Sequence, residues 1–215
     1  MNQFHELFQS IMDGDEEHAV TLTKALIANG VRPMDILIRG LLPAMDQLGD
    51  LLAREERFIP QILLSARTMQ SALAEIQSLL IEEHTGKLRH DVVIVGTVSG
   101  DIHTIGKNLV GIMLRSGGFR VVDLGVNVSA EDFAAAIRKY GAHVIAMSAM
   151  LTTSMSAMRK IVQKLQKEDF GYPLSIIVGG APITPNFARE LHVLYSGNMM
   201  ESMKLAMDAT KDENY

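Results

Sequence analysis

The sequence contains no cysteine among its 215 residues. Without a thiol, the chain can provide no thiolate nucleophile, no Cys-ligated zinc and no ligand for an iron–sulfur cluster. If the protein carries out metal chemistry, the ligands must be histidine or oxygen atoms, or the metal must arrive inside a cofactor that already holds it.

Long apolar runs and an excess of one charge are also lacking. No run reaches the roughly 18 apolar residues that a membrane span needs, and Met1–Glu6 lacks the basic and then apolar pattern of a signal peptide. The 25 acidic and 20 basic side chains leave a net charge of −5, too balanced for a nucleic-acid-binding surface. We therefore expect a soluble cytoplasmic protein that has neither a membrane nor a nucleic acid as a partner.

The composition, 47% apolar and 21% charged, is that of a globular protein. Before residue 90 the apolar residues recur at helical spacing. The predicted helices are Phe4–Met12, Asp15–Asn29, Pro33–Ala53, and a fourth that follows the turn Phe58-Ile59-Pro60 and runs to Leu80. They predict a four-helix bundle, then a polar linker at 82–87 with a hinge at 81–90. We expect domains at 1–88 and 89–215.

After the linker, buried strands alternate with helices. Continuous apolar runs predict strands at Val92–Val95, Val121–Leu124, Val144–Met147 and Leu174–Val178. Between them, helices are predicted at Gly106–Arg115, Ala130–Tyr140, Ser154–Lys167 and Pro185–Leu191. This alternation predicts an α/β domain with a parallel sheet. Such sheets bind ligands beyond the carboxyl ends of their strands, so we examined the loops that follow each strand.

The loop after the first strand carries an aspartate and a histidine two residues apart. Asp101 and His103 lie on a non-helical segment, so their side chains can point the same way. The carboxylate can then hold one imidazole nitrogen and leave the other free to bind a metal. The alternative is that Asp101 caps a helix and His103 is a polar loop residue. Neither glycine motif of a phosphate-binding loop is present, so the sequence does not favour nucleotide binding.

Two further loops add polar or bare positions at strand ends. Four hydroxyl side chains lie from Ser148 to Ser154 after the third strand, and Gly179-Gly180 follows the fourth. Each has a simpler explanation, Ser154 as a helix N-cap and the glycine pair as a turn. Together, three strand ends present a histidine, a row of hydroxyls and a floor without side chains.

The three motifs in this order resemble the cobalamin-binding signature D-x-H-x-x-G, S-x-L and G-G. The chain is similar to the cobalamin-binding module of methionine synthase and to the corrinoid proteins of methanol, methylamine and methoxyarene methyltransferase systems. Gly49-Asp50-Leu51 and Phe58–Gln61 resemble the cap domain of that family. The resemblance implies an N-terminal four-helix bundle as cap and a Rossmann-like (flavodoxin-like) parallel-sheet domain that binds the cofactor.

The resemblance also implies roles for individual residues. His103 is expected to replace the cofactor's own benzimidazole as the lower axial ligand of cobalt, with Asp101 as its hydrogen-bonded partner and Ser154 extending the relay. The other expected cofactor contacts in the α/β domain are Gly100, Ile102, Thr104, Ile105, Gly106, Ser148, Met150, Thr152, Gly179 and Gly180. In the cap, Leu52, Ile59 and Ile62 are expected to face the methyl side of the corrin; the alternative for these three is plain bundle core.

Two departures from the family pattern are visible. Met150 replaces the usual leucine, a change that conserves volume and that packing tolerates. The segment Leu191–Ser196 replaces the usual Gly-Ala-Asp stretch before the last strand and helix, which weakens any assignment near the C-terminus.

The function implied by the resemblance is that of a methyl carrier. Cobalt in cobalamin or a related corrinoid (methylcobalamin when loaded) would accept a methyl group from a substrate on a substrate-specific methyltransferase. It would donate that group to tetrahydrofolate or coenzyme M on an acceptor-side methyltransferase, and a reductive activase would restore the cofactor. No substrate-binding barrel fits in this length, so the chain alone is not expected to be a complete enzyme.

Three alternatives remain open. A cobalamin-dependent sensor or regulator would share both domains, but this sequence shows no basic helix-turn-helix. A cobalamin storage or delivery protein would bind the cofactor without methyl turnover. The third alternative is a bundle and an α/β domain with no cofactor.

Overall fold

The computed structural model describes residues 3–53, 59–83 and 91–210, apart from the side chains at 52, 53, 59 and 83. The chain divides into two compact units, Met1–Glu83 and His84–Tyr215. None of the helices in the described ranges is long and apolar enough to cross a bilayer. Of the predicted linker and hinge, only residues 81–83 fall within the described part, at the end of a helix.

The first unit contains the four helical segments that the sequence predicts. They are α1 (Gln3–Asp13), α2 (Glu16–Ala28), a segment that joins α3 (Pro33–Ile36), a π-helical turn (Leu37–Leu41) and α4 (Leu42–Ala53), and α5 (Ile59–Glu83). Asp15 caps α2, because its side chain accepts a hydrogen bond from the backbone N–H of His18 at 3.0 Å. The apolar positions at helical spacing form the core, which includes Leu7, Ile11, Leu26, Met69 and Ile76.

The π-helical turn has a local cause in the sequence. The N–H of Leu42 donates to the carbonyl of Leu37, five residues back, and the next residue, Pro43, has no N–H. In a regular α-helix the proline ring would clash with the carbonyl four residues earlier, and the wider turn relieves that crowding. The predicted helix is therefore present over its full extent, with a widening that the apolar spacing does not reveal.

The second unit is a five-stranded, wholly parallel sheet in the order β2-β1-β3-β4-β5. Its strands are β1 (Val92–Thr97), β2 (Arg120–Asp123), β3 (Val144–Ser148), β4 (Ser175–Gly179) and β5 (Leu194–Ser196). Its helices are α6 (Ile105–Ser116), α7 (Ala130–Tyr140), α8 (Ser154–Leu165), α9 (Pro185–Glu190) and α10 (Met199–Ala209). This strand order is the flavodoxin-like one and confirms the predicted fold class.

Helices cover both faces of the sheet, which explains the apolar runs in its strands. Val92 and Ile94 of β1 pack with residues of α7, α8 and α9, and Val93 and Val95 pack with residues of α6 and α10. A strand buried on both faces needs no polar positions.

The strand ends form a level row at one edge of the sheet. Thr97 pairs with Ser148, Ser148 with Gly179, and Gly179 with Ser196. The chain leaves β1 toward β2 on one side and later returns to place β3 on the other side, so the topology switches between β1 and β3. Open α/β sheets bind their ligands at this switch point, and the loops after β1 and β3 flank it.

Candidate functional site

Asp101 ties together the two loops at the switch point. It lies in the loop after β1 and is fully buried. Its Oδ1 accepts a hydrogen bond from the backbone N–H of His103 at 3.0 Å. Its Oδ2 accepts from the backbone N–H of Met150 at 2.6 Å and of Leu151 at 3.3 Å, both in the loop after β3. The carboxylate therefore fixes the relative position of the two loops.

The His103 ring is held on one side and open on the other. Its Nδ1 lies 2.6 Å from Asp101 Oδ1, and the side chain is 45% exposed. A carboxylate beside Nδ1 favours the tautomer with the proton there, so Nε2 is the nitrogen left for a metal. The structure thus brings Asp101 and His103 together in the arrangement that their spacing predicts.

Hydrogen bonds keep the buried carboxylate charged. Burial acts to raise the pKa of Asp101, but the hydrogen bonds from Met150 N–H, from His103 N–H and from the His103 ring outweigh burial and hold the pKa below its ordinary value. A charged Asp101 is the stronger acceptor for the His103 ring, which fixes the ring orientation.

Thr97 is a contact that the sequence reasoning missed. It is the last residue of β1, is fully buried, and its Oγ1 donates to the carbonyl of His103 at 2.8 Å. The signal available was a hydroxyl residue at the end of an otherwise apolar strand, since a buried hydroxyl needs a partner.

Lys107 has a defined structural role in the first turn of α6. It is buried, and its Nζ donates to Asp123 Oδ2 at 2.5 Å and to Asn108 Oδ1 at 2.7 Å. This ion pair between a buried lysine and an exposed aspartate fastens the helix that follows His103 to the end of β2.

The residues predicted from the loop after β3 lie at the same edge. Ser148 is half-buried and Thr152 is exposed, while Met150 is 37% exposed. Ser154 begins α8 and is buried, and within the described part of the chain its Oγ has no hydrogen-bond partner. The predicted relay therefore contains no direct hydrogen bond from Ser154 to Asp101, and the buried hydroxyl is available to another group.

Two glycines near His103 leave space that the chain does not fill. A Cβ added at Gly106 would meet only Ser148 Oγ, at 3.9 Å, and one added at Gly100 would meet nothing within 4 Å, counting the described residues. Gly100 has a φ of +81°, which L residues rarely adopt. The first turn of α6 thus has an open surface beside the histidine.

Gly179 and Gly180 are explained by their neighbours in the fold. A Cβ on Gly180 would lie 1.8 Å from the carbonyl oxygen of Ala149, and a Cβ on Gly179 would lie 2.7 Å from the carbonyl oxygen of Ser196. The backbone of adjacent segments therefore requires glycine at both positions, whatever else approaches them. Their part in cofactor binding stays a prediction.

The remaining predicted positions are more exposed or lie elsewhere. Ile102 is 75% exposed, Thr104 is half-buried and Ile105 begins α6. The side chains of Leu52 and Ile59 lie outside the described residues. Ile62 is half-buried within α5, and its role toward a cofactor stays a prediction.

Both units of the chain match known protein families. Residues 91–200, which include the sheet and the loops at its carboxyl edge, match a family described as the B12 binding domain, and residues 3–77 match a second family of the same description. The chain belongs to the B12-binding domain family.

Relatives of this B12-binding protein cover nearly its whole length. It is 34% identical to monomethylamine corrinoid protein 2 of Methanosarcina acetivorans, over 97% of each chain. Its fold matches the structure of the Methanosarcina barkeri monomethylamine corrinoid protein with a TM-score of 0.88, 31% identity, and coverage of 96% of this chain and 97% of that one. A further match is the methanol:cobalamin methyltransferase complex from Methanosarcina barkeri, with a TM-score of 0.53, 26% identity, and coverage of 96% and 78%.

The cofactor of this B12-binding chain is cobalamin or a related corrinoid, and the site fits it. A corrinoid brings cobalt inside a macrocycle and needs only one axial ligand from the protein. Across the described ranges, no three His, Asp or Glu side chains gather as a metal site of their own, and the His103 ring, held at Nδ1, offers one further nitrogen, Nε2. The open surface at Gly106 and the unpartnered Ser154 hydroxyl leave room and a polar contact for a large group.

Proposed function

We propose that this protein carries a methyl group between two methyltransferases. The proposal is supported by its relatives, which are named as corrinoid proteins of monomethylamine and related systems, and by the match to a methanol:cobalamin methyltransferase complex. The observation that carries it is the Asp101–His103 pair, with Nδ1 held at 2.6 Å and the ring half exposed.

In this proposal the chain's own residues provide one ligand and its support. When bound, the corrinoid supplies a cobalt centre that takes up and releases a methyl group. His103 would hold the cobalt through Nε2, and Asp101 would hold the proton on His103 Nδ1. The N–H groups of Met150 and Leu151 in turn fix the Asp101 carboxylate. Ser154 offers its hydroxyl to the same region.

The partners belong to the same proposal. A substrate-specific methyltransferase supplies the methyl group, an acceptor-side methyltransferase passes it to tetrahydrofolate or coenzyme M, and a reductive activase returns the cofactor to its reactive state. We place this exchange in the cytoplasm. The division into a cap domain at 1–88 and a cofactor domain at 89–215, and the cap role of Leu52, Ile59 and Ile62, remain predictions within it.

Methyl uptake from a defined donor tests the proposal. The protein is loaded with hydroxocobalamin, reduced with titanium(III) citrate, and mixed with monomethylamine and a methyltransferase specific for it. We expect the absorption of the reduced cofactor to disappear only when donor and methyltransferase are both present. The His103→Ala variant should react more slowly. The His192→Asn variant is a matched control, because His192 is an exposed histidine of the same unit whose φ of 54° asparagine tolerates.

The same experiment separates the alternatives. Tight binding of hydroxocobalamin without methyl uptake from monomethylamine, dimethylamine, trimethylamine or methanol, each with its cognate methyltransferase, would contradict the carrier proposal and favour storage or delivery. Specific binding to a DNA fragment at physiological salt would favour the regulator.

A further inference from the structure

The loop after β2 runs beside the loop that carries Asp101 and His103. The N–H of Thr97 donates to the carbonyl of Gly125 at 3.0 Å, and the N–H of Val128 donates to the carbonyl of Thr97 at 2.9 Å. These bonds extend the pairing of β1 with β2 beyond the strands, and Val98 forms one more bridge to Val128. These contacts hold Thr97 and Val98 at the start of the loop and do not involve Asp101 or His103.

Among the described residues of this neighbouring loop, Asn127 is the one that forms hydrogen bonds with both Gly100 and Asp101. Its backbone N–H donates to the carbonyl of Asp101 at 3.0 Å. Its side-chain Oδ1 accepts from the backbone N–H of Gly100 at 2.8 Å. One residue therefore holds the Gly100 N–H and the Asp101 carbonyl, on either side of the Gly100–Asp101 peptide bond and two residues before His103.

The backbone conformations at both ends of this contact need support. Asn127 has a φ of 55° and Gly100 a φ of 81°, a region that asparagine tolerates better than most residues and glycine adopts freely. Such conformations persist where the surrounding contacts determine them. The two hydrogen bonds that Asn127 forms are contacts of that kind. The bond between Gly100 N–H and Asn127 Oδ1 joins the two residues with positive φ.

We infer that Asn127 is a positioning residue for the axial histidine. The His103 ring is oriented by Asp101 Oδ1, and the place of that oxygen depends on the Asp101 backbone. That backbone is held by its N–H on the carbonyl of Val98 at 3.1 Å and by its carbonyl on Asn127. Asn127 lies outside the three motifs of the cobalamin signature and acts on His103 only through Gly100 and Asp101. The inference rests on the proposed ligation of cobalt by His103.

Two substitutions separate the side-chain contact from the backbone conformation. Asn127→Gly keeps the left-handed φ without strain and removes Oδ1, whereas Asn127→Asp keeps an oxygen at the same place. The control is Asp169→Ala, because Asp169 Oδ1 accepts from the N–H of Gly171 at the same distance of 2.8 Å in the loop before β4, at the opposite edge of the sheet. Should Asn127→Gly fail to fold, Asn127→Ala removes the same oxygen.

Two measurements report on the contact and its consequence. In the cofactor-free protein, hydrogen exchange of the peptide 98–103 reports on the Gly100 N–H. In ¹⁵N-labelled protein loaded with unlabelled cob(II)alamin, the electron paramagnetic resonance spectrum gives the fraction of cobalt with an axial nitrogen that comes from the protein. We expect Asn127→Gly to speed the exchange and to shift the ratio of unligated to ligated cobalt by about threefold to tenfold. Asn127→Asp and Asp169→Ala should stay near wild type.

A parallel His103→Ala sample makes the outcomes distinguishable. If His103→Ala abolishes the axial nitrogen signal and Asn127→Gly leaves it unchanged, the inference about Asn127 is overturned and the proposed ligation stands. If His103→Ala leaves the signal intact, the proposed ligation itself is wrong. An equal shift in Asp169→Ala would assign the effect to general loss of stability and would also overturn the inference.

Discussion

The loop after β1 and the turn after β4 lie at the same edge of the sheet, and both carry motif residues, but different parts of the molecule determine them. In the loop after β1, the His103 ring is held on one side by the Asp101 carboxylate and is half exposed, so its other side is open. In the turn after β4, Gly179 and Gly180 are required by the carbonyl oxygens of Ser196 and Ala149.

The difference teaches that the residues of one family motif can be required for different physical reasons. Asp101 and His103 form a carboxylate–imidazole pair at an exposed position. Gly180 is explained by steric contact inside the protein, before any cofactor is considered. Substitutions at the two places should therefore separate loss of folding from loss of cofactor chemistry.

The largest effect is expected at Gly180. A Cβ there would lie 1.8 Å from the carbonyl oxygen of Ala149, at a φ of 122°, so Gly180→Ala should cost about 3 kcal/mol or more of unfolding free energy. Gly171→Ala is the control, because Gly171 has a φ of +78° and open space in the described structure; it should cost only about 1–2 kcal/mol. Urea unfolding measures both, and equal losses would contradict the steric account.

Within the loop after β1, substitution of Asp101 should reduce the stability of the protein more than substitution of His103. Asp101→Ala leaves the backbone N–H groups of His103, Met150 and Leu151 without their acceptor and should cost about 2–3 kcal/mol. His103→Ala removes a half-exposed ring and should change stability by less than about 1 kcal/mol. Thermal unfolding of the cofactor-free variants checks this order, and a His103→Ala loss as large as that of Asp101→Ala would refute it.

Gly106 should show the opposite behaviour to Gly180. An added Cβ at Gly106 touches only Ser148 Oγ, at 3.9 Å, within the described residues, so Gly106→Ala should leave the cofactor-free protein as stable as wild type or slightly more stable. If the open surface receives the corrinoid, the affinity for hydroxocobalamin should fall by about tenfold. Titration followed by absorbance measures this, and an unchanged affinity would show that the space is not used.

The smallest effect is expected at Thr97. Thr97→Val keeps the shape of the side chain and removes the hydrogen bond from Oγ1 to the carbonyl of His103, which should cost about 1 kcal/mol. Thr97→Ser retains the hydroxyl but loses a buried methyl group, so the comparison is made with wild type. A urea titration that finds Thr97→Val as stable as wild type would mean that the bond to His103 contributes nothing.

The sequence was sufficient for most elements of the fold. Helical spacing predicted the bundle, and the apolar runs predicted β1, β3 and β4 because strands covered on both faces carry no polar positions. The strand β5 was not assigned, since it has three residues at the edge of the sheet and an exposed Leu194. The π-helical turn was also not predicted, because the apolar spacing of a helix does not show whether a proline within it is accommodated by a wider turn.

The site was predictable where its contacts are local in sequence. Asp101 and His103 are two residues apart, so their pairing follows from the chain itself. The contacts of Asn127 with Gly100, and of Asp101 with Met150, join segments that only the strand order makes neighbours. Gly180 could be predicted as part of a motif. The reason that glycine is required there could not, because it is the nearby carbonyl oxygen of Ala149, after another strand.

The central claim is that His103 provides the axial ligand to cobalt, and isotope labelling tests it most directly. The protein is uniformly labelled with ¹⁵N, loaded with unlabelled cob(II)alamin, and measured by electron paramagnetic resonance. A nitrogen from the protein should split the cobalt lines into doublets, and His103→Ala should remove that splitting. Triplets from ¹⁴N in the labelled protein would show that the benzimidazole of the cofactor still occupies the axial position, and would contradict the claim.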